Sequence, residues 1–265
     1  MTSLRAILAL AALALLAGLR PALPQAQEGN PEKIEIGLST DMIAITADFS
    51  GADLTIFGAL DNADPLINRQ GRYDVVVVLE GPARPVVVRR KDRVLGIWMN
   101  TTSETFVNVP ASYSLATTRA MQDITDSNNY RQLSLGAEYI YVEPLDRAGD
   151  PETIAEFTRA LRDRKKASGL YNERIGGVQF LSQNLFRASL TLAPNIPVGT
   201  HKARAFLFRN GVFLMETSAP LVIVKSGFEQ WIHRTSIDYG LLYGIFAVGL
   251  AMVTGWVGRI VFRKD

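Results

Sequence analysis

The chain contains no cysteine and only two histidines, His201 and His233. The first absence excludes a disulfide framework, a thiolate nucleophile and any Cys-ligated metal, so folding rests on the core alone. The second leaves scarcely any material for a two-histidine metal site or a Ser-His-Asp relay, because one histidine stands beside a strand start and the other next to an apolar terminal run. Missing too are a Walker phosphate loop, a dinucleotide glycine fingerprint and a zinc-protease helix; the glycines are dispersed as turn residues. Neither sign of charge dominates, with 28 Lys and Arg against 26 Asp and Glu. Several of the positive residues lie near the termini, so nothing argues for nucleic acid. No cofactor and no enzymatic activity are expected.

Two apolar runs stand out against this background. From Tyr239 to Gly258 no residue is charged, and about twenty residues at 1.5 Å rise match the ~30 Å hydrocarbon core of a bilayer. Arg259, Arg263 and Lys264 follow it closely, which by the positive-inside bias places the tail in the cytoplasm. Tyr239, Tyr243 and Trp256 fall where aromatic rings prefer the headgroup level. At the other end, Arg5 precedes an uncharged Ala/Leu run from Ala6 to Leu19 and a Pro-containing polar stretch, the pattern of a secretory signal peptide. Cleavage after Ala26 is expected, although Pro24 departs from the small-residue pattern and a retained signal anchor is the alternative.

Between Lys33 and Pro110 the chain is a series of short β-rich runs: KIEIGLS, MIAITADF, ADLTIFGAL, YDVVVVLEGP, RPVVVRRK, VLGIWMN and ETFVNVP. Their separators carry the Gly, Pro, Asn and Asp of turns. Ile34, Ile36 and Leu38 alternate with polar or small residues, whereas Val75 to Leu79 do not alternate, as befits a central strand covered on both faces. Trp98 lies in an alternating run and is expected to pack the core rather than to stack on a base or sugar. A helical interlude follows, with Leu115, Arg119 and Gln122 at helical spacing and a further turn near Asn129 to Leu135. DPETIAEFTRALRDRKKASGLY is a clearer helix: Asp150 caps, Pro151 suits the first position, Ile154, Phe157 and Leu161 form one stripe, and Gly169 ends it. Its basic run from Arg162 to Lys166 reads as a solvated helix end rather than a partner site. Strands resume at GGVQFLSQ, LFRASLTLAP, GTHKARAFLFRN and VFLMETSAPLVIVKS, with RNGV as a hairpin turn. These late strands either form a second, smaller unit or complete the first.

The expected fold is mainly β (α+β): an Ig-like β-sandwich in the periplasm with inserted helices, plus one C-terminal transmembrane helix. The expected organisation is a signal peptide over 1–26, a β-sandwich domain over 27–110, a helical segment over 111–170 and a second β-rich unit over 171–226. A juxtamembrane helix over 227–238, built on Phe228, Trp231, Ile232 and Thr235, then leads to the transmembrane helix over 239–262 and a tail over 263–265.

Candidate chemistry is sparse. Asp61, Asn62 and Asp64 in LDNADPLIN form the best oxygen cluster, but the same residues make a tight turn by bonding their own backbone, which is the favoured reading. Within the span, Gly240, Gly244, Ala247, Ala251 and Gly255 recur at helical spacing, and small residues there let a second helix approach; Thr254 adds a candidate interhelical hydrogen bond.

IEIGLSTDMIAITADFSGADLTIFGAL, YDVVVVLEGP through VVVRRKDRVLGIWMN, VNVPASYSLATT and the single C-terminal span together resemble the alphaproteobacterial transmembrane family Alph_Pro_TM. The resemblance implies an inner-membrane protein with a periplasmic domain, and it supplies no catalytic residues. It also implies, through an association with sulfite-exporter-type permeases, a role accessory to transport. The leading expectation is a non-enzymatic, membrane-anchored interaction module that meets a membrane protein partner, or its own copies, through the transmembrane helix. The alternative is a periplasmic protein that binds a small anion or cation in loops such as Asp61 to Arg72 or Arg84 to Arg93.

Overall fold

The computed structural model describes residues 32–146, 148–227 and 236–261. The signal segment, His233, the residues of the juxtamembrane stripe and the basic tail at Arg263 and Lys264 lie outside them.

Thirteen strands form three sheets among the described residues. β1 (Lys33–Leu38), β3 (Ala52–Asp61), β11 (Leu185–Leu192) and β10 (Val178–Phe180) make a four-stranded sheet in the order β1-β3-β11-β10. A six-stranded sheet runs β2 (Met42–Ile45), β13 (Val212–Lys225), β12 (Gly199–Arg209), β4 (Tyr73–Glu80), β7 (Tyr113–Thr117), β9 (Tyr171–Ile175). The third sheet joins β5 (Ala83–Val94), β6 (Ile97–Pro110) and β8 (Glu143–Pro144).

Two hydrophobic clusters explain the layering. Ile34, Leu54, Ile56, Phe186 and Leu190 of the four-stranded sheet meet Val75, Val77, Leu79, Ala205 and Leu207 of the six-stranded one. The alternate residues Val76, Val78, Phe206 and Phe208 face the other way, onto Phe106, Ile124, Tyr130, Phe157 and Leu161. The Val75 to Leu79 strand is therefore buried on both faces, as its unbroken apolar run predicts.

Strand pairing joins the two β regions that the sequence leaves separable. β3 pairs with β11 and β4 with β12 over eight residues each, so residues from 27–110 and 171–226 share both layers of one sandwich. The division into two β units does not hold, because each half alone would expose the apolar face that the other covers.

Tyr113 to Thr117 correct the helical reading of that stretch. They form β7, with all five residues buried, antiparallel to β4 and parallel to β9; sheet pairing overrides the helical spacing of Leu115 and Arg119. The helices that follow are short α2 (Met121–Ile124) and α3 (Ser127–Leu133), then α4 (Pro151–Ala167); α1 (Pro65–Arg69) lies earlier, between β3 and β4. In α4 the Asp150 carboxylate accepts from Thr153 N–H at 2.9 Å, Phe157 and Leu161 are buried, and Gly169 takes a positive φ of 73° just past the end. Its basic end bonds within the protein rather than only to water: Arg162 donates to Ile140 O at 2.7 Å, Lys165 to Ala111 O at 2.9 Å, and Lys166 pairs with Glu138.

α5 (Gly240–Val261) closes the chain. It is long and apolar enough to cross a membrane, and no residue of its apolar window is buried against protein.

Candidate functional site

The acidic cluster is a turn. Asp61 Oδ1 accepts from Asn62 N–H at 3.0 Å, Asp64 Oδ1 accepts from Leu66 N–H at 2.8 Å, and Asn62 adopts φ 55°. No group of three or more His, Asp or Glu side chains that could hold a metal occurs among the described residues. The Arg84 to Arg93 segment, expected as a loop, is strand β5, where Arg84 donates to Val198 O at 3.0 Å and Arg90 pairs with Glu156.

Sequence reasoning missed one pairing of reactive residue types. Ser112 and His201, 89 residues apart, meet in the interior with Oγ 3.2 Å from Nε2. The His201 Nδ1 lies 3.2 Å from Gly199 O, a pure acceptor, so Nδ1 carries the proton and Ser112 donates to Nε2. That is the hydrogen-bond sense of a nucleophile and its base, but here a carbonyl stands where an orienting carboxylate would. The adjoining cavity is about 10 Å³, too small for a substrate, and a Cβ on Gly81 would come within 2.4 Å of the serine oxygen. The pair ties the β6–β7 corner to β12.

Burial holds the His201 pKa below its ordinary 6.5. Between the folded and unfolded values the unfolded chain binds the extra proton, so stability is full above about pH 6.5 and falls as pH drops below it. Urea midpoints measured at pH 7.5 and 5 are expected to differ less for His201→Gln than for the natural chain; equal differences would refute the assignment.

An open cleft of about 430 Å³ is lined by Tyr73, Asp74, Thr118, Arg119, Phe180 and Gln183. Its charged groups bind each other: Arg119 Nε and Nη2 reach the two Asp74 oxygens at 2.8 and 2.5 Å, and Thr118 adds a third bond at 2.9 Å. Arg204 is likewise enclosed, bridging Glu80 and Glu216 and lying over the Phe206 ring.

Trp98 overturns its expected place in the core. The run VLGIWMN is split by a turn at Leu95 and Gly96 that joins β5 to β6, and Trp98 is 68% exposed. Val94, Leu95, Ile97 and Met99 are exposed beside it. From Lys91 to Ser103 every residue of this ribbon is exposed, so its distal part projects beyond the packed layers. The signal lay in Leu-Gly, a turn pair with an apolar residue where Asn is usual.

On α5, Gly240, Gly244, Ala247, Ala251 and Gly255 fall on one face by helical geometry. All five are exposed, and nothing lies within 4 Å of a Cβ built on any of the three glycines. The Thr254 hydroxyl donates to Leu250 O in its own helix, so only its acceptor side is open to a neighbour.

Residues 33–264 match the family model described as "Putative transmembrane protein (Alph_Pro_TM)". No curated protein matches the chain. Among solved structures, AggA, the major subunit of aggregative adherence fimbriae type I from Escherichia coli, aligns at 10% identity over 74% of this chain and 97% of its own, with a TM-score of 0.27.

Proposed function

We propose that this chain, which belongs to the Alph_Pro_TM family of transmembrane proteins, is a non-enzymatic interaction module that serves a transport or envelope protein of the inner membrane. In this reading the sandwich lies in the periplasm, the C-terminus lies in the cytoplasm, and α5 meets the partner helix. The observation that carries it is the uncovered small-residue face of α5 at Gly240, Gly244, Ala247, Ala251 and Gly255. Small residues let helix backbones approach closely in a medium where apolar burial gives no drive of its own. The closed Ser112–His201 pair and the mutually bound charges of the open cleft support a binding rather than a catalytic role. Basic residues after the span support the orientation. A sulfite-exporter-type permease is the transport partner suggested by the family resemblance.

Photo-reactive residues at Gly244 and Ala251, activated in native membranes, are expected to capture one membrane protein reproducibly, with Leu242 on the opposite face giving little. Equal capture from both faces, or a lone monomer purified in mild detergent, would overturn the reading.

A further inference from the structure

Among the described residues, two tight β-hairpins share the same turn geometry and have opposite chemistry. Asn210 and Gly211, joining β12 to β13, have φ of 51° and 86°; Leu95 and Gly96, joining β5 to β6, have φ of 52° and 86°. Both central residues at positive φ define the type I′ turn, whose first position favours Asn because few L side chains tolerate that conformation. One hairpin obeys this rule. The other places a leucine there, 98% exposed, where backbone preference and hydration both oppose it.

Around Leu95 the apolar residues do not form a one-sided strip. Cross-strand pairs share a face and successive pairs alternate: Val94 faces Ile97 on one side, Arg93 faces Trp98 on the other, and Asp92 faces Met99 on the first. The apex is thus apolar on both faces. Arg93 stands one pair and Lys91 three pairs behind the Val94–Ile97 pair, and neither is engaged by a carboxylate in a described ion pair; Arg93 bonds Gly96 O at 3.2 Å. A groove on a protein would cover one face of such a ribbon. A fluid apolar medium with a negatively charged rim covers both.

Register supplies the direction. β4 and β13 are both antiparallel to β12, with Glu80 opposite Lys202 and Lys202 opposite Pro220. Their C-terminal ends therefore leave the six-stranded sheet at the same end. From β13 the chain continues toward α5; from β4 it continues through Gly81 and Pro82 into β5, with β5–β6 prolonging the β4–β7 pair (Ala83 opposite Pro110). The Asn210–Gly211 turn lies at the opposite end of the sheet. The Asn-type turn points away from the side where the helix departs, and the Leu-type turn arises on that side.

We infer that the tip of the β5–β6 hairpin, Val94, Leu95, Ile97 and Trp98, inserts end-on into the headgroup layer of the anionic bilayer that holds α5, with Lys91 and Arg93 at its phosphates. Tryptophan prefers that depth, and basic side chains next to an anionic leaflet gain attraction that salt weakens. A two-stranded ribbon alone in water is marginal; the bilayer orders this one. The inference needs only the bilayer and stands whether or not α5 has a protein partner.

The absence of native cysteine makes the test direct. Full-length protein carrying Met99→Cys, labelled with an environment-sensitive fluorophore, is reconstituted into phosphatidylcholine vesicles with and without phosphatidylglycerol, each doped with headgroup-nitroxide lipid. The label at position 99 is expected to be quenched and blue-shifted, more so with phosphatidylglycerol, while a label on Asn210→Cys stays aqueous. Leu95→Asn combined with Trp98→Ser should lower the quenched fraction by roughly tenfold, and Lys91→Gln with Arg93→Gln should remove the phosphatidylglycerol dependence. Leu95→Asn suits the turn, so an unchanged or raised thermal midpoint certifies the fold. Equal, aqueous signals at 99 and 210 would overturn the inference. So would a label at 99 that is shielded from water yet unquenched by lipid, the sign of a protein occupant.

Discussion

Phe186→Ala is expected to destabilise the sandwich by about 3–5 kcal/mol, the range for removing a fully buried aromatic ring. Gly58→Ala is expected to cost about 1–3 kcal/mol through overpacking. The two together should cost clearly less than their sum. Gly58 of β3 pairs directly with Phe186 of β11 and with Ile36 of β1, and the Phe186 ring, with no exposed surface, lies across the glycine. A Cβ on residue 58 would meet the ring at 2.1 and 2.6 Å and the Glu35 carbonyl at 2.8 Å. Removing the ring relieves two of these clashes and leaves a cavity that the new methyl partly fills; the carbonyl contact remains. Urea unfolding in detergent, followed by near-ultraviolet dichroism, gives the double-mutant cycle. Strict additivity would mean that ring and glycine do not constrain each other.

Leu250→Asp with Val253→Asp is expected to release the protein from membranes. Each carboxylate at the centre of a spanning helix costs about 3–4 kcal/mol relative to the apolar residue it replaces, roughly 6–8 kcal/mol for the pair. Both positions lie mid-helix in α5 and are exposed, so no protein surface shelters the charges. Carbonate extraction reads the outcome: the natural chain and Tyr239→Asp, at the helix edge, stay in the pellet, and the double variant moves to the supernatant. Retention of the double variant would mean that another segment holds the chain.

Local features were legible in the sequence because local chemistry decides them. The Asp150–Pro151 start of α4, the Asn210–Gly211 turn and the charge-free stretch of α5 each follow from a few neighbouring residues. Pairings over distance were not legible. Nothing near Asp53 reveals that it will lie opposite Thr191, with a 3.0 Å hydrogen bond between side chains 138 residues apart; hence the late strands read equally well as a separate unit. The same holds for Ser112 and His201. Tyr113 to Thr117 misled because a short buried strand carries no period of its own, so a chance helical spacing filled the gap. Trp98 misled for another reason. Alternation identifies a strand but not its surroundings, and a projecting ribbon alternates just as a half-buried strand does. The deciding clue was conformational, a leucine at a turn position that favours asparagine.

The place of β13 in the sheet has a mechanical consequence. Val222 to Lys225, the last strand residues before α5 in the sequence, pair in parallel with Met42 to Ile45 on one side, while Gly199 to Lys202 lie opposite Ile223 to Pro220 on the other. Ladder hydrogen bonds run across the strand rather than along it. A tug on α5 directed along β13 therefore enters at Lys225 in shear, loading both ladders together instead of peeling them one bond at a time. The tether is fastened where the sheet resists traction, so drag on the span reaches the sandwich as strain on a clamp and not as the opening of a zip.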